Sequence, residues 1–370
     1  MRGIGKHRSA SVALLAAAIA VVAGCGGGGG GGSSSSGGGG SLAGAPTWCG
    51  SKSITLALAD GFGDNNWRRI TKAEAQDEAA KCPSVSKFLY TDGQGNTQKA
   101  ISDIQGLAAQ GVNATVVFPD AGPAVLPGIR SAYKQGLVVV PYRVSPGGRD
   151  GVDYSYYIST DFKQAGVLWA KWMAQVLHGK GNIANLGGPP ANSQSQAEYD
   201  GMQSVFKDYP DIHFVGQTPY NVTNWDPSLT QSVVAGLLAK YPQIDGFTTD
   251  FGAALVSSFG AFQQAHRQVP AVATEDANQL SCTWATMHAS DPGFQLFTVD
   301  SQTWMVRTAV EFAVAKASGG QVPRSASVPQ AVFEDSVTNN PRGPECNQSL
   351  PPDALLSSRL STSALKAALG

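Results

Sequence analysis

The chain has 370 residues, of which 14% are charged and 42% hydrophobic, and its formal net charge is -1. A near-neutral chain without a basic stripe is not expected to bind nucleic acid. The length exceeds what one hydrophobic core usually supports, so a division into two domains is expected.

The N-terminus has the organisation of a secretory signal. Arg2, Lys6 and Arg8 make it basic, and residues 10–23 are almost wholly apolar and small. This apolar stretch is too short to span a bilayer, for which about 20 residues are needed. A basic start, an apolar segment and a small-residue exit predict an exported chain whose signal peptide covers residues 1–24.

The exit of the signal reads Val22-Ala23-Gly24-Cys25 and resembles a lipobox, in which the cysteine becomes the lipid-modified first residue. The alternative is an ordinary signal peptide followed by a chance cysteine. A tract of glycine and serine follows, and such a sequence cannot bury enough apolar area to fold. We therefore expect residues 25–47 to be a lipidated Cys25 and a tether that hold the protein outside the cell membrane.

Four cysteines remain besides Cys25, and these are Cys49, Cys82, Cys282 and Cys346. An even number in an exported chain indicates two disulfides. Among three possible pairings, Cys49–Cys82 with Cys282–Cys346 is the most local, and we favour it. A metal site is not expected, because no CxxC or HxxxH spacing occurs.

From Ser53 onward, short apolar runs alternate with longer helical patterns. The predicted strands of the first series are 54–59, 87–90, 114–118 and 137–140. The predicted helices between them are 66–81, 97–110 and 124–135. Thr97 is the expected N-cap of the second helix, and Gly111 is its expected C-cap.

A second series begins near residues 156–159. Its predicted strands are 182–186, 213–217, 245–248, 271–274 and 295–299. Its predicted helices are 162–177, 194–208, 227–240 and 304–317. Strands that alternate with helices form parallel sheets covered on both faces. The predicted fold class is therefore α/β, with two doubly wound parallel-sheet lobes.

The chain should cross between these lobes near residues 159–161, at Asp300 and at Ser327, which makes a three-segment hinge. The predicted N-terminal lobe comprises residues 48–159 plus 301–327. The predicted C-terminal lobe and tail comprise residues 160–300 plus 328–370. In such sheets, ligands bind beyond the carboxyl ends of the strands. The residues that follow each strand are therefore the candidates for a binding site.

The first predicted strand is followed by Asn65, Asn66 and Trp67. The preceding glycines imitate a dinucleotide-binding fingerprint, but its third glycine is absent, which excludes that interpretation. Amide groups donate and accept hydrogen bonds, and an indole offers a flat apolar face, so this combination suits a sugar. The alternative is that Trp67 belongs to the core and that the two asparagines form a turn.

Similar polar and aromatic clusters follow other predicted strands. They are Tyr142-Arg143, Asn224-Trp225-Asp226, Thr249-Asp250-Phe251, Glu275-Asp276-Ala277-Asn278, and Asp300 with Gln302. Each cluster alone is also typical of a cap or a turn. Their recurrence at the ends of strands favours one shared binding site.

In the order of these elements and motifs, Ser53 to about Phe333 resembles the ribose-type, type I periplasmic binding proteins of sugar ABC importers. The motifs are Asn65-Asn66-Trp67, Tyr142-Arg143, Asp161, Tyr199-Asp200-Gly201-Met202, Asn224-Trp225-Asp226 and Glu275-Asp276-Ala277-Asn278. The resemblance implies an extracytoplasmic solute-binding protein that holds a sugar or polyol between two lobes. It also implies delivery of that ligand to an ABC permease and its ATPase.

The resemblance implies roles for single residues. Asn65 matches an amide that binds sugar hydroxyls. Trp67 and Trp225 match aromatic residues that enclose the sugar ring, one from each lobe. Arg143 matches an arginine that binds hydroxyls, and Tyr142 stands at the position of an aspartate.

In the second lobe, Asp276 matches an aspartate beyond a strand, and Asn278 is similar to a polar residue near that turn. Three positions depart from the pattern of the ribose binders. Gln196 replaces an arginine, Asp250 replaces an asparagine, and Asp300 replaces a glutamine. The departures favour a ligand other than ribose, with more donor groups or with an amine.

Other classes of function are less well supported by the sequence. No GxSxG, HExxH or P-loop motif occurs, and the five histidines show no ligand spacing, so neither an enzyme nor a cofactor is expected. A transcriptional regulator would need a DNA-binding module where the signal stands. A sensory lipoprotein that presents a sugar-like ligand to a membrane receptor stays open as an alternative. We expect a monomer.

Overall fold

The computed structural model describes residues 44–63 and 65–370. The predicted signal peptide, the predicted lipidation site Cys25 and most of the predicted tether lie outside the described residues. Within the described part of the chain, no helix is long and apolar enough to cross a membrane.

The described residues form strands and helices in alternation. The strands are β1 (Ile54–Asp60), β2 (Val85–Asp92), β3 (Ala114–Val117), β4 (Val138–Pro141), β5 (Ser159–Thr160), β6 (Lys180–Gly187), β7 (Asp211–Val215), β8 (Asn221–Val222), β9 (Gly246–Thr249), β10 (Ala271–Glu275), β11 (Leu296–Val299), β12 (Ser327–Val328) and β13 (Val332–Asp335). The helices are α1 (Asn66–Ala80), α2 (Thr97–Gly106), α3 (Leu126–Lys134), α4 (Phe162–Val176), α5 (Ser193–Phe206), α6 (Pro227–Lys240), α7 (Gly252–Leu255), α8 (Phe259–Gln264), α9 (Asn278–Met287), α10 (Met305–Ser318) and α11 (Thr362–Leu369).

The first lobe is built on a parallel sheet in the order β2-β1-β3-β4. α2 and α3 pack on one face of this sheet, and α1 and α10 pack on the other. The central strands are apolar along their length because both faces are covered. The predicted strands of this lobe are confirmed to within two residues at each end.

The second lobe is built on a sheet in the order β13-β11-β10-β9-β6-β7. All of its pairs are parallel except β11 with β13, which runs antiparallel at one edge. α4 and α5 pack together on one face, around the buried Trp169 and Met202. The predicted α/β class with two parallel-sheet lobes is confirmed. Residues 252–264, α9 and β13 were not predicted as helix or strand.

The lobes are joined by three crossing segments. β5 pairs with β12 in a short two-stranded ladder, so two of the crossings run side by side. The third crossing follows β11 at residues 300–304. A continuous apolar cluster passes through this region, with Ile158, Met305 and Val328 buried within it.

The N-cap of α2 corrects a prediction. Asn96, and not Thr97, is the capping residue, since its side chain accepts a hydrogen bond from the backbone N–H of Lys99 at 3.0 Å. Thr97 is the first helical residue. Gly111 ends the following short turn with a left-handed φ of 75°, a conformation that glycine adopts without a steric penalty.

The C-terminal tail also corrects a prediction, because it does not stay in the second lobe. In that lobe, the carbonyls of Pro352 and Ala354 accept from the first backbone N–H groups of α9. The tail then reaches the first lobe, where α11 packs on α1. Glu74 of α1, which is buried, accepts hydrogen bonds from the Ser358 hydroxyl and the Arg359 backbone N–H at 2.7 Å each. Residues 347–370 therefore form a strap that connects both lobes.

Both predicted disulfides are confirmed, Cys49–Cys82 and Cys282–Cys346. The first ties the start of the first lobe to the end of α1. The second ties α9 to the beginning of the strap.

Replacing Cys282 and Cys346 by serine is expected to loosen the strap. The bridge closes a sequence separation of 64 residues, so its loss should lower the free energy of unfolding by about 4 kcal/mol. Hydrogen exchange followed by mass spectrometry should also show faster exchange over residues 347–360.

The matched control is the double variant C49S/C82S, whose bridge spans 33 residues. It should lose a similar amount of stability, about 4 kcal/mol, and leave exchange in the strap unchanged. Equal protection of the strap in both variants would contradict the role given to Cys282–Cys346.

Candidate functional site

A narrow cavity of about 40 Å³ lies between the lobes, where the carboxyl ends of both sheets meet. Its lining residues are Asn65, Trp67, Arg68, Phe118 and Arg143 from the first lobe and Gln194, Trp225, Asp250, Phe251 and Glu275 from the second. Wider clefts open from it on two sides, and both share Asn65 and Trp225 with it. The location is the one expected for a ligand site in parallel α/β sheets.

The start of α1 places two of the predicted residues in the cavity. Asn65 is the N-cap of α1, and its side-chain oxygen Oδ1 accepts a hydrogen bond from the backbone N–H of Arg68 at 2.9 Å. Its NH₂ group thus remains available to a ligand. Trp67 is buried, and its indole N–H donates to the carbonyl of Ser301 at 3.0 Å, which fixes the ring against the hinge. Phe118 meets Trp67 edge to face, with 5.5 Å between the ring centroids.

Arg143 follows β4 and reaches across to the second lobe. Its guanidinium forms a buried ion pair with Glu275 and donates to the carbonyl of Ser301 at 3.1 Å. The same guanidinium lies 5.0 Å from the ring of Trp67. The backbone of Arg143 is left-handed, with a φ of 64°, which is uncommon for a residue with a side chain. The local fold therefore holds this arginine in a specific orientation.

Arg68 is a cavity residue that the sequence did not indicate. Its guanidinium lies 3.3 Å from Asp60 and 2.5 Å from Asp120, at the ends of β1 and β3. It also stacks on Phe118, 3.4 Å from the ring centroid. Burial raises the pKa of Asp60 to about 7, although the positive charge of Arg68 opposes this effect. This arginine is already matched by two carboxyl groups.

The second lobe supplies the acidic side of the cavity. Asp250 follows β9, and its Oδ2 accepts from the Ser195 hydroxyl at 2.5 Å. Its Oδ1 has no hydrogen-bond partner among the described residues. Gln194 donates to Glu198 at 3.2 Å and to Glu275 at 3.5 Å. The site thus offers acceptors on one side and donors on the other.

Burial makes these carboxyl groups hard to ionise. It raises the pKa of Glu275 to about 8 even though Arg143 lowers it, and it raises the pKa of Asp250 to about 6. The pKa of Glu198 lies well above its ordinary value, first through burial and then through the neighbouring Asp250 and Glu275. The protonation of the cavity therefore changes within the neutral pH range.

The structure brings together five of the predicted ligand-binding residues, Asn65, Trp67, Arg143, Trp225 and Asp250. The other six are placed outside the cavity, and each has a different structural role. They are Asn66, Tyr142, Gln196, Asp276, Asn278 and Asp300.

Two of these corrections lie in the first lobe. Tyr142 is fully buried and packs edge to face on Phe118 at 5.2 Å, so it supports the cavity wall from behind. Asn66 donates to the carbonyl of Asp353 at 2.5 Å and thereby holds the strap. Asn66 lines one of the outer clefts.

Gln196 is exposed and donates to Asp200 at 2.8 Å, whereas Gln194 faces the cavity. Residues two positions apart in an α-helix are separated by about 200° of rotation around its axis. The side chains of Gln194 and Gln196 therefore point in nearly opposite directions. The same kind of shift occurs after β10. Glu275, the last residue of β10, lines the cavity, whereas the next residue, Asp276, bonds to the hinge and the strap.

Asp276, Asn278 and Asp300 hold the hinge and the strap. Asp276 accepts from the backbone N–H groups of Ser301 at 2.8 Å and of Ser357 at 2.9 Å. Asn278 donates to three carbonyls of the strap, those of residues 347, 350 and 351. Asp300 accepts hydrogen bonds from the backbone N–H of Gln302 and from the indole N–H of Trp304.

A family model described as a periplasmic binding protein domain matches residues 58–321. The xylitol-binding protein of Mycolicibacterium smegmatis is 26% identical over 174 residues, which are 47% of this chain and 48% of that protein. The D-xylose-binding periplasmic protein of Escherichia coli is 26% identical over 249 residues, 65% of this chain and 71% of that protein. The chain thus spans about half the length of the first relative and more of the second.

Solved structures show the same fold. The myo-inositol-binding protein of Caulobacter, bound to myo-inositol, superposes with a TM-score of 0.64 at 19% identity, over 76% of this chain and 93% of that one. A fructose-binding periplasmic domain of a hybrid two-component system superposes with a TM-score of 0.65 at 18% identity, over 78% of this chain and 92% of that domain.

Replacing Glu275 by glutamine is expected to change how stability depends on pH. The pKa of Glu275 is raised in the folded state, so the folded protein retains the proton more tightly than the unfolded chain. Its contribution to stability is therefore present at pH 4 and lost as the pH rises through about 8. This loss amounts to at most about 1.4 kcal/mol per pH unit for one such group.

Urea unfolding at several pH values between 4.5 and 8.5 measures this dependence. In E275Q the free energy of unfolding should decline less steeply than in the wild type. The exposed Glu345 provides a matched control, since E345Q should retain the wild-type slope. Identical slopes in the wild type and E275Q would show that the ionisation of Glu275 is not linked to folding.

Proposed function

The chain belongs to the periplasmic binding protein domain family, and from this premise we propose that it is an extracytoplasmic solute-binding protein. Its ligand is a small polyhydroxylated molecule, a sugar or polyol, held in the cavity between the lobes. The convergence of amide, guanidinium, carboxyl and aromatic groups from both lobes on one cavity carries this proposal. Such groups pair with hydroxyls, while indole faces cover the C–H surfaces of a ring.

Binding couples to closure because the ligand contacts both lobes at once. Asn65, Trp67 and Arg143 belong to the first lobe, and Trp225 and Asp250 belong to the second. A ligand that reaches both sets interacts fully only when the lobes are close, so it shifts the population toward the closed form. The same arrangement gives specificity, since an analogue that lacks a hydroxyl leaves a buried polar group unpaired.

The relatives support this choice of ligand class. Those named above bind xylitol, D-xylose and myo-inositol, which are compact and rich in hydroxyl groups.

The proposal extends to the partner and the location. The closed protein delivers its ligand to an ABC permease and its ATPase, as a monomer anchored to the cell membrane by a lipid on Cys25. Sensing is the second candidate, since a periplasmic domain of a two-component system shares the fold. Genes for a permease and an ATPase next to this one would support import, and a histidine kinase gene would support sensing.

Replacing Trp225 by alanine is expected to weaken ligand binding by at least about tenfold, which corresponds to about 1.4 kcal/mol. The indole supplies one wall of the cavity and is only partly buried, so its loss should leave the fold intact. Isothermal titration calorimetry against pentoses, hexoses, pentitols and inositols first identifies a ligand and then measures the effect.

Trp284 provides the matched control. It stacks on His288 at 4.1 Å and does not line the cavity, so W284A should bind as tightly as the wild type. Equal affinities of W225A and the wild type would contradict the proposed site. The absence of binding to any tested sugar or polyol would contradict the proposed ligand class.

Replacing Cys25 by serine is expected to release the protein from membranes. Without the thiol, no lipid can be attached, and the remaining polypeptide carries no predicted second anchor. Fractionation of a bacterial host that produces the full chain should find the wild type in the membrane pellet and C25S in the soluble extracytoplasmic fraction. Recovery of both proteins in the same fraction would contradict lipid anchoring.

A further inference from the structure

The buried charges of the second lobe are not balanced by the cations near them. Among the described residues, Arg143 pairs with Glu275, and Arg68 is matched by Asp60 and Asp120. Both guanidinium groups of the cavity thus already have carboxyl partners.

Asp250 and Glu198 are each 3% exposed and take part in no ion pair within the described part of the chain. Glu198 accepts from Gln194. Asp250 lines the cavity, and one of its oxygens is bonded to Ser195. Its other oxygen is buried and has no partner among the described residues. A buried carboxylate without a partner is costly, so Asp250 provides a position at which a positive charge is stabilised.

An aromatic face lies on the same side of the cavity. Trp225 lines the cavity with Asp250, and in the described residues no cation lies over its ring. The arginines stack instead on Trp67 and Phe118. Although burial raises the pKa of Asp250, the indole of Trp225 acts as a hydrogen-bond donor beside this carboxyl group and lowers its pKa. Its ring can also attract a cation through its quadrupole, so the two residues together favour an ammonium group.

We propose that the ligand is a polyhydroxylated molecule that carries one protonated amine, with its ammonium group at Asp250 and Trp225. Its hydroxyl groups then face Asn65, Arg143 and Gln194. This inference rests on the proposed function and narrows its ligand class. An acidic sugar is disfavoured, because both guanidinium groups are matched and its carboxylate would face Asp250.

Protons should leave the cavity when such a ligand binds. Arg143, Glu275, Glu198 and Tyr220 are the charged and titratable groups that interact with Asp250. Burial raises the pKa of Asp250 to about 6, so part of this group is protonated near that pH. An ammonium ion stabilises the carboxylate and lowers its pKa, which expels the proton. A neutral polyol lowers this pKa less, because its hydroxyl groups donate hydrogen bonds without a positive charge.

The test compares matched pairs of ligands by isothermal titration calorimetry. The pairs are glucosamine with glucose, 1-amino-1-deoxyxylitol with xylitol, and an inosamine with myo-inositol. We expect the amine of at least one pair to bind about 10- to 100-fold more tightly than its neutral partner, as for a charge-assisted hydrogen bond. Titrations at pH 6 in buffers of different ionisation enthalpy should show more proton release with the amine than with its neutral partner.

The variant D250N should lose the preference for the amine, so that the two members of a pair bind with similar affinity. The matched control is D200N, in which the exposed Asp200 of α5 is replaced, and it should retain the preference. Proton release by the wild type tests the inference independently if D250N does not fold.

Three outcomes overturn the inference. They are the absence of any pair in which the amine binds more tightly, an unchanged preference in D250N, and binding of the amine with no more proton release than its neutral partner. If a neutral polyol binds in these cases, the proposed function stands. Failure of all amines and all neutral polyols to bind overturns the proposed function itself.

Discussion

A buried ion pair joins the two lobes at the centre of the molecule, and the site is arranged around it. Arg143 comes from the first lobe and Glu275 from the second, and the guanidinium would be an isolated buried charge without this partner. Arg143 and Trp67 both donate to the carbonyl of Ser301 in the hinge. The hinge, the aromatic wall and the ion pair therefore share one set of contacts, and a change in any of them affects the cavity.

The strap adds a further connection to the three crossings of the hinge. Asn278 and Asp276 hold it to the second lobe, and Glu74 holds it to the first. Opening of the cleft must therefore break these hydrogen bonds or move residues 347–370 with one lobe. This arrangement also explains why two of the predicted ligand-binding residues, Asp276 and Asn278, are unavailable to a ligand.

The fold was predictable from the sequence because apolar runs and helical periodicity report directly on buried strands and amphipathic helices. For the site, the sequence predicted which loops contribute to the cavity, but not which residue of each loop lines it. The prediction named Asp276, but Glu275, the last residue of β10, lines the cavity, and Asp276 bonds to the hinge and the strap. Likewise, the prediction named Gln196, but the helical rotation places Gln194 in the cavity and Gln196 on the exposed side of α5. The strap has no periodic pattern, since it is held by individual hydrogen bonds to side chains far away in the sequence.

The central claim is that a polyhydroxylated ligand is held between the lobes by residues of both. A crystal structure of the complex with the tightest ligand found by calorimetry tests it most directly. We expect the ligand between Trp67 and Trp225, with polar contacts to Asn65, Arg143 and Asp250. A ligand bound to one lobe only, or in an outer cleft away from these residues, would contradict the claim.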